Sequence, residues 1–332
     1  MRCPTARGRL SSAVREALLA DRPLDADPDH RLDPGPTADD EGDRQLALWM
    51  LFELHHRGFE DVPDDAEWRP DLLALRRDLE RDLEARWREL AAPLLAEHAA
   101  QATGDLATDF FALCEADTGP SVAEFVRRRA TTEQLHAVLR QRSVYHGKEQ
   151  DAAMWAVPRL DDEPTAHLLA VAYDEYGNGS PDQVHSRLWA GGLRAAGVDD
   201  AYGAHVGEAV PEVLEQNNLM AMLGLQRRLL PASLGHLAAF EVTSALPSQQ
   251  WVRGLERLRA PEELTGYFRE HVLADSVHEQ VAVRQLLGSY LGGAPDRRDD
   301  VFWGGAVCLL AEGRAGAAVL RAVGADEHEV AA

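Results

Sequence analysis

From Arg44 almost to the C-terminus, apolar residues recur at spacings of three and four, and no segment alternates as a half-buried strand does. That single period restricts the chain to helices packed on helices. QLALWMLFELHHRGF, beginning at Gln45, carries the pattern and stops near Gly58. Pro70–Glu97 is a long charged amphipathic stretch with Leu72, Leu73, Leu75, Leu79, Leu83 and Trp87 on its apolar positions. A helix is expected over 121–129, and another from Thr131, where Thr131 and Gln134 form a T-x-x-Q capping box. A third opens at Pro164 and ends at Gly177, and Ser180-Pro181-Asp182-Gln183 reads as the capped start of the next. Further helices are expected over 208–229, 232–245, 248–258, 262–291 and 300–322. No repeat of fixed period is present. The expected fold class is an all-α helical bundle.

Residues 1–43 are rich in Pro, Asp and Gly and read as a partly irregular N-terminal arm lying over the surface, with a short helical piece near Ser12–Ala20. Accessory N-terminal helices occupy 44–115, and ATGDLATDF and ADTGPS mark a boundary before a main bundle over 116–325. The formal net charge of −22 argues against nucleic acid and against an anionic membrane surface as partner. No apolar run approaches the ~20 residues of a membrane span, and the first residues lack the apolar stretch of a secretory signal. Cys3, Cys114 and Cys308 are odd in number and far apart, which fits a reducing compartment. The expected location is cytoplasmic.

Three segments carry chemistry. In Glu263–Leu287 the apolar stripe runs through Leu264, Tyr267 and Phe268 and resumes at Ala282 and Leu286, while His271, Asp275 and His278 lie at the same helical phase between them. Polar groups on a face that should be buried need partners. A shared metal would supply one, and so would a polar network. In DEYGNGSPDQVH, Asp182 and His185 form a carboxylate-x-x-His pair, with Glu175 ten residues before the His. Helix-end positions account for both acids without metal. Glu149 falls on the apolar stripe of Leu135, Val138, Leu139, Arg142 and Tyr145, where an ion pair with Arg142 or Lys148 is the alternative to a metal. Together Glu149, Glu175, Asp182, His185, His271, Asp275 and His278 form a mixed nitrogen–oxygen donor set suited to iron or manganese, and the several carboxylates fit two divalent ions better than one. Glu53, His55 and His56 in ELHHRGF point in different directions on a helix and read as structural.

These residues resemble those of the haem-oxygenase-like di-iron oxidases, a family of iron-containing redox enzymes. The family pattern is a Glu on a first core helix, matched by Glu149, then a carboxylate-x-x-His pair, matched by Asp182 and His185. H-x-x-x-D-x-x-H on a final helix follows, matched by His271, Asp275 and His278. The contexts YHGKEQDAAMWAVPRL, DEYGNGSPDQVH and HVLADSVHE are similar to the family's, over roughly 44–320. The pair's carboxylate is commonly Glu, and Asp182 departs from that. Members that oxygenate nitrogen tend to carry an extra carboxylate ten residues before the pair's His, where Glu175 stands.

The resemblance therefore implies two Fe ions, O2 as co-substrate, and a small amine or amino acid oxidised at nitrogen in a specialised biosynthetic pathway. Glu175 is then the catalytic carboxylate that shifts on and off one iron. Desaturation or fragmentation by the same site, and a metal-free binding bundle, are the alternative readings. Along 234–241, Phe240 and Glu241 are candidate substrate contacts, Glu241 for an ammonium group, and Tyr145 is a third. No G-x-G-x-x-G follows a strand, so an external electron donor is expected. The extra N-terminal helices suit either a cover or a homodimer interface.

Overall fold

The computed structural model describes residues 1–24, 38–116 and 119–325; the side chains of 38, 39 and 273–277 lie outside that description. Thirteen α-helices are described: α1 (Arg9–Leu19), α2 (Ala38–Glu53), α3 (Pro70–Ala99), α4 (Leu106–Glu115), α5 (Val122–Arg128), α6 (Thr132–His146), α7 (Asp162–Glu175), α8 (His185–Ala195), α9 (Pro211–Leu225), α10 (Leu230–Leu258), α11 (Glu262–Gln280), α12 (Gly288–Gly293) and α13 (Arg298–Ala322). A π-helical segment, Val281–Leu287, joins α11 to α12. No strand occurs among the described residues. The all-α expectation holds.

The centre is α10, which packs against α13, α11 and α5. Pro231 sits in its first turn, where the missing N–H is harmless. Pro247 lies inside the helix without dividing it, so the two helices expected over 232–245 and 248–258 are one. By composition this stretch is apolar enough to cross a membrane, but most of it is buried inside the protein as the core helix. Where α10 crosses α13 the backbones touch. A Cβ on Gly235 would lie 1.9 Å from the Val301 carbonyl oxygen, and one on Gly304 2.0 Å from that of Ala232.

Of the expected N-terminal arm, residues 25–37 lie outside the described residues, and α1 is packed into the core instead of lying over the surface. Leu10, Val14 and Leu18 are buried in the same core cluster as Trp49, Trp87, Leu214 and Trp303. α1 has Gly8 at its N-cap, so its first amides look elsewhere. Asp43 of α2 accepts from Leu10 N (2.7 Å) and Ser11 N (2.8 Å) and from the Ser11 hydroxyl. The accessory helices likewise share the main core. Asn218 of α9 donates to the Gln45 carbonyl of α2 (2.9 Å), and Trp87 Nε1 of α3 donates to Glu215 of α9 (3.0 Å). The expected boundary at 105–120 holds a helix instead: Asp105 caps α4 by accepting from Thr108 N, and Phe110 and Leu113 are fully buried.

Two predictions follow from this packing. Gly235→Ala forces the α10–α13 crossing apart and costs ~1–3 kcal/mol or more, read as a lower urea midpoint with unchanged slope. The second concerns pH. Burial pushes His236 down to about 4, and burial with Lys148 nearby pushes His56 down to about 3. Both are neutral when folded and take up a proton on unfolding below about pH 6.5. Their stabilisation is therefore complete above pH 6.5 and is lost as pH falls toward 4, by about 3 kcal/mol for His236. His236→Gln is expected to flatten the pH dependence of unfolding free energy across that window; an unchanged slope would contradict it.

Candidate metal centre

Glu149, Glu175, His185 and His271 come together. Each offers a donor atom within 4.8 Å of every other, and all four side chains are buried. They arrive from four helix ends or faces. Glu149 sits just beyond α6, which stops at His146 with Gly147 as its C-cap, so it occupies a turn rather than the helix expected to carry it. Glu175 is the last residue of α7, and His185 the first of α8. His271 lies within α11.

Between Glu175 and His185 the chain makes a tight reversal. Gly177, Asn178 and Gly179 all have positive φ (80°, 55° and 79°), and a Cβ on Gly177 would meet the Ser180 carbonyl oxygen at 2.4 Å. Ser180 makes no side-chain cap, and Pro181–Gln183 is a short 3-10 turn. Val184 is non-helical (φ −59°, ψ 126°). Asp182 and His185 therefore do not share a helix face as the sequence suggested. His185 turns inward, while the Asp182 side chain is 78% exposed and pairs with Arg187 at 3.1 Å. Asp275 lies outside the described side chains.

The donor geometry fits a cation. His271 Nδ1 donates to the Tyr267 carbonyl (2.9 Å), so in the neutral ring Nε2 carries the lone pair. It faces Glu149 Oε2 at 3.7 Å. His185 Nδ1 lies 2.9 Å from Glu175 Oε2 but makes no hydrogen bond with it. Two donors held cis at bonds of about 2.1 Å lie ~3 Å apart, so this pair is spaced as ligands of one ion. Orientation by a backbone carbonyl on the far ring nitrogen, as in His271, is how ligand histidines are ordinarily fixed.

Glu149 is held at both oxygens. Arg142 Nε donates to His146 Nε2 (2.9 Å), which leaves the His146 proton on Nδ1, and that proton reaches Glu149 Oε1 (2.9 Å). The Tyr267 hydroxyl donates to Oε2 (2.9 Å). Burial raises the Glu149 carboxyl, but His146 and His271 outweigh it and hold it well below its ordinary range. Lys148 does not pair with Glu149. It pairs with Glu53 (2.9 Å), which also accepts from Tyr202 (2.8 Å), so ELHHRGF clasps the turn that aims Glu149. The sequence offered Arg142 or Lys148 as a direct ion-pair partner of Glu149 in place of a metal, and His146 and Tyr267 were missed as its partners. The run of Arg142, His146 and Glu149 at steps of four and three was the available signal.

A second group of donors adjoins the first. His278 Nε2 contacts Asp174 (2.8 Å) and His278 Nδ1 faces Glu241 Oε2 (3.2 Å), again without a hydrogen bond to it. Gln150 donates to Glu241 Oε1 (3.3 Å). Burial disfavours the His278 cation, yet the two carboxylates push the ring up to about 9. Among the described residues no Lys or Arg forms an ion pair with Glu149, Glu175 or Glu241; histidines alone do. Three buried carboxylates whose only described ion-pair partners are imidazoles suit divalent cations.

A cavity of about 410 Å³ opens beside the quartet, with Glu149 and His271 in its wall. Phe240 lines it. Glu241, one residue on, is turned from it toward His278, and Tyr145 is buried behind Phe240 (ring centroids 5.2 Å apart), so neither faces this cavity as expected.

The chain's family follows from comparison. The profile of the iron-containing redox enzyme family matches residues 136–313. This chain belongs to that family. The matched span includes every residue of both donor groups. Among solved structures it is similar to a CADD-like protein of unknown function from Nostoc punctiforme PCC 73102, at 18% identity and a TM-score of 0.51, covering 67% of this chain and 96% of that one. That likeness concerns the helical fold. No curated protein matches.

The geometry separates the proposed ligands. His185→Ala and His271→Ala are each expected to weaken Fe(II) binding by more than the ~10- to 100-fold that loss of an outer-shell partner costs. Asp182→Ala is expected to keep its iron at this quartet. Anaerobic iron titration checks both; loss of all iron from Asp182→Ala would contradict the arrangement.

Proposed function

We propose that this chain is a non-haem di-iron oxygenase that uses O2 to oxidise the amine nitrogen of a small amino-acid-like substrate. The observation that carries the reading is the buried quartet of Glu149, Glu175, His185 and His271 opening onto a cavity of substrate size. Membership of an iron-containing redox family supports iron as the metal, and the nitrogen–oxygen donor set suits it. The quartet would hold one iron. His278, with Glu241 and Asp174 around it, supplies donors for a second. Iron bound there supplies electrons and open coordination positions for O2.

The rest is the work of the chain's own groups. His146 and Tyr267 fix Glu149 through one hydrogen bond to each oxygen, so its carboxylate presents a constant orientation. Glu175 ends α7 immediately before the left-handed turn and has no described hydrogen-bond partner from its own helix, which leaves it the freest of the carboxylates to change its binding mode. Trp189, Tyr267 and Phe268 are buried and pack around His146 in tilted and edge-on contacts, excluding water from one side. One oxygen atom of O2 would go to the amine nitrogen and the other leave as water, with electrons from an external donor.

The test is anaerobic loading with Fe(II), then exposure to isotopically labelled O2 with candidate amines and a chemical reductant. The reading expects amine-dependent O2 uptake and one labelled oxygen on nitrogen. Label on carbon would move the assignment to C–H chemistry. Absence of iron uptake would overturn the enzyme reading.

A further inference from the structure

Arg142 stands in the wall of the cavity, half-buried, one hydrogen bond from His146 and two from Glu149. Its Nε is committed to His146. Its terminal amino groups make no described hydrogen bond, and no described carboxylate lies within ion-pair distance. The guanidinium is held against the face of Trp251, 5.6 Å from the ring centroid, and Trp251 is stacked on Phe268 (4.8 Å, 7°). A guanidinium fixed by its Nε and one flat face presents the other edge as a two-pronged donor, the shape that matches a carboxylate. A half-buried arginine without an acid is an incomplete pair, and here the missing partner would come from the cavity.

Besides the proposed ligand Glu149, one further carboxylate lines the cavity. This is Glu312 of α13, and its Oε1 accepts from Gln216 (2.7 Å). No described Lys, Arg or His pairs with it. The wall also carries the apolar side chains of Phe240, Trp251, Phe268 and Leu246.

We infer that this cavity recognises a free α-amino acid as its zwitterion, the carboxylate taken by Arg142 and the α-ammonium by Glu312, with the side chain against the apolar wall. The inference rests on the cavity being the substrate site proposed above. It adds that the carboxylate is an obligatory recognition element, and it names Arg142 as the residue that selects for it. Because Arg142 also orders His146, the bound carboxylate is placed two hydrogen bonds from the proposed ligand Glu149.

Binding is measured by anaerobic calorimetry on the iron-loaded chain, with iron content determined on the same samples. Two matched sets of probes are used: L-norleucine, pentylamine and hexanoate; L-lysine, cadaverine and 6-aminohexanoate. In the wild type at least one of the two amino acids is expected to bind at least tenfold more tightly than its set's decarboxylated amine. Arg142→Gln is expected to erase that advantage while leaving the amine's affinity unchanged, and Arg142→Lys to restore part of it. Glu312→Gln is expected to weaken the amino acid and the amine but not hexanoate. Equal binding of amino acid and amine by the wild type, no binding of any probe, or an unchanged preference in Arg142→Gln at normal iron content would overturn the inference. A wild type that takes up no iron but keeps the Arg142-dependent preference would overturn the oxygenase reading and leave the recognition site standing.

Discussion

Three carboxylates, Glu149, Glu175 and Glu241, are buried at the meeting of five helices with imidazoles as their only described ion-pair partners. Leaving such charge inside a folded chain is costly unless cations accompany it. The chain has basic groups close by and directs them elsewhere. Lys148 is drawn to Glu53, and Arg142 reaches Glu149 only through His146. The acidic site is thereby left with no described Lys or Arg ion pair, and His271, its Nδ1 proton given to the Tyr267 carbonyl, turns the lone pair of Nε2 toward it.

The bundle serves this placement by where its helices stop. Glu149 is delivered by a turn after α6, Glu175 by the end of α7 and His185 by the start of α8. Only α10 and α11 contribute from their interiors. The π-helical segment begins three residues after His278, and its wider pitch accompanies the burial of Ala282, Val283, Leu286 and Leu287. Close contact between α10 and α13 at Gly235 and Gly304 brings Glu312 within reach of the cavity that α6 and α11 border.

Helical periodicity made the fold class legible, and the capping box at Thr131 located the start of α6 as found. The four quartet residues were visible because each polar side chain interrupted an apolar stripe or lay at a metal-ligand spacing. What failed was continuity. Spacing along the sequence assumed a helix through Asp182 and one through Glu149, but Val184 breaks the first and Gly147 ends the second. A one-residue change of backbone state sends Asp182 to solvent and His185 to the core. Glu241 was taken for a substrate contact because α10 is apolar around it, and only the opposing His278 on α11 reveals its direction. The docking of α1 by Asp43 and the pairing of Lys148 with Glu53 span 32 and 95 residues, beyond the reach of local pattern.

The most direct test is an anomalous difference map from crystals of the anaerobically iron-loaded protein, collected on both sides of the iron absorption edge. The account predicts an iron peak bonded by Glu149, Glu175, His185 and His271, and a second beside His278. Iron bound elsewhere, or a quartet left without a peak at full loading, would contradict it.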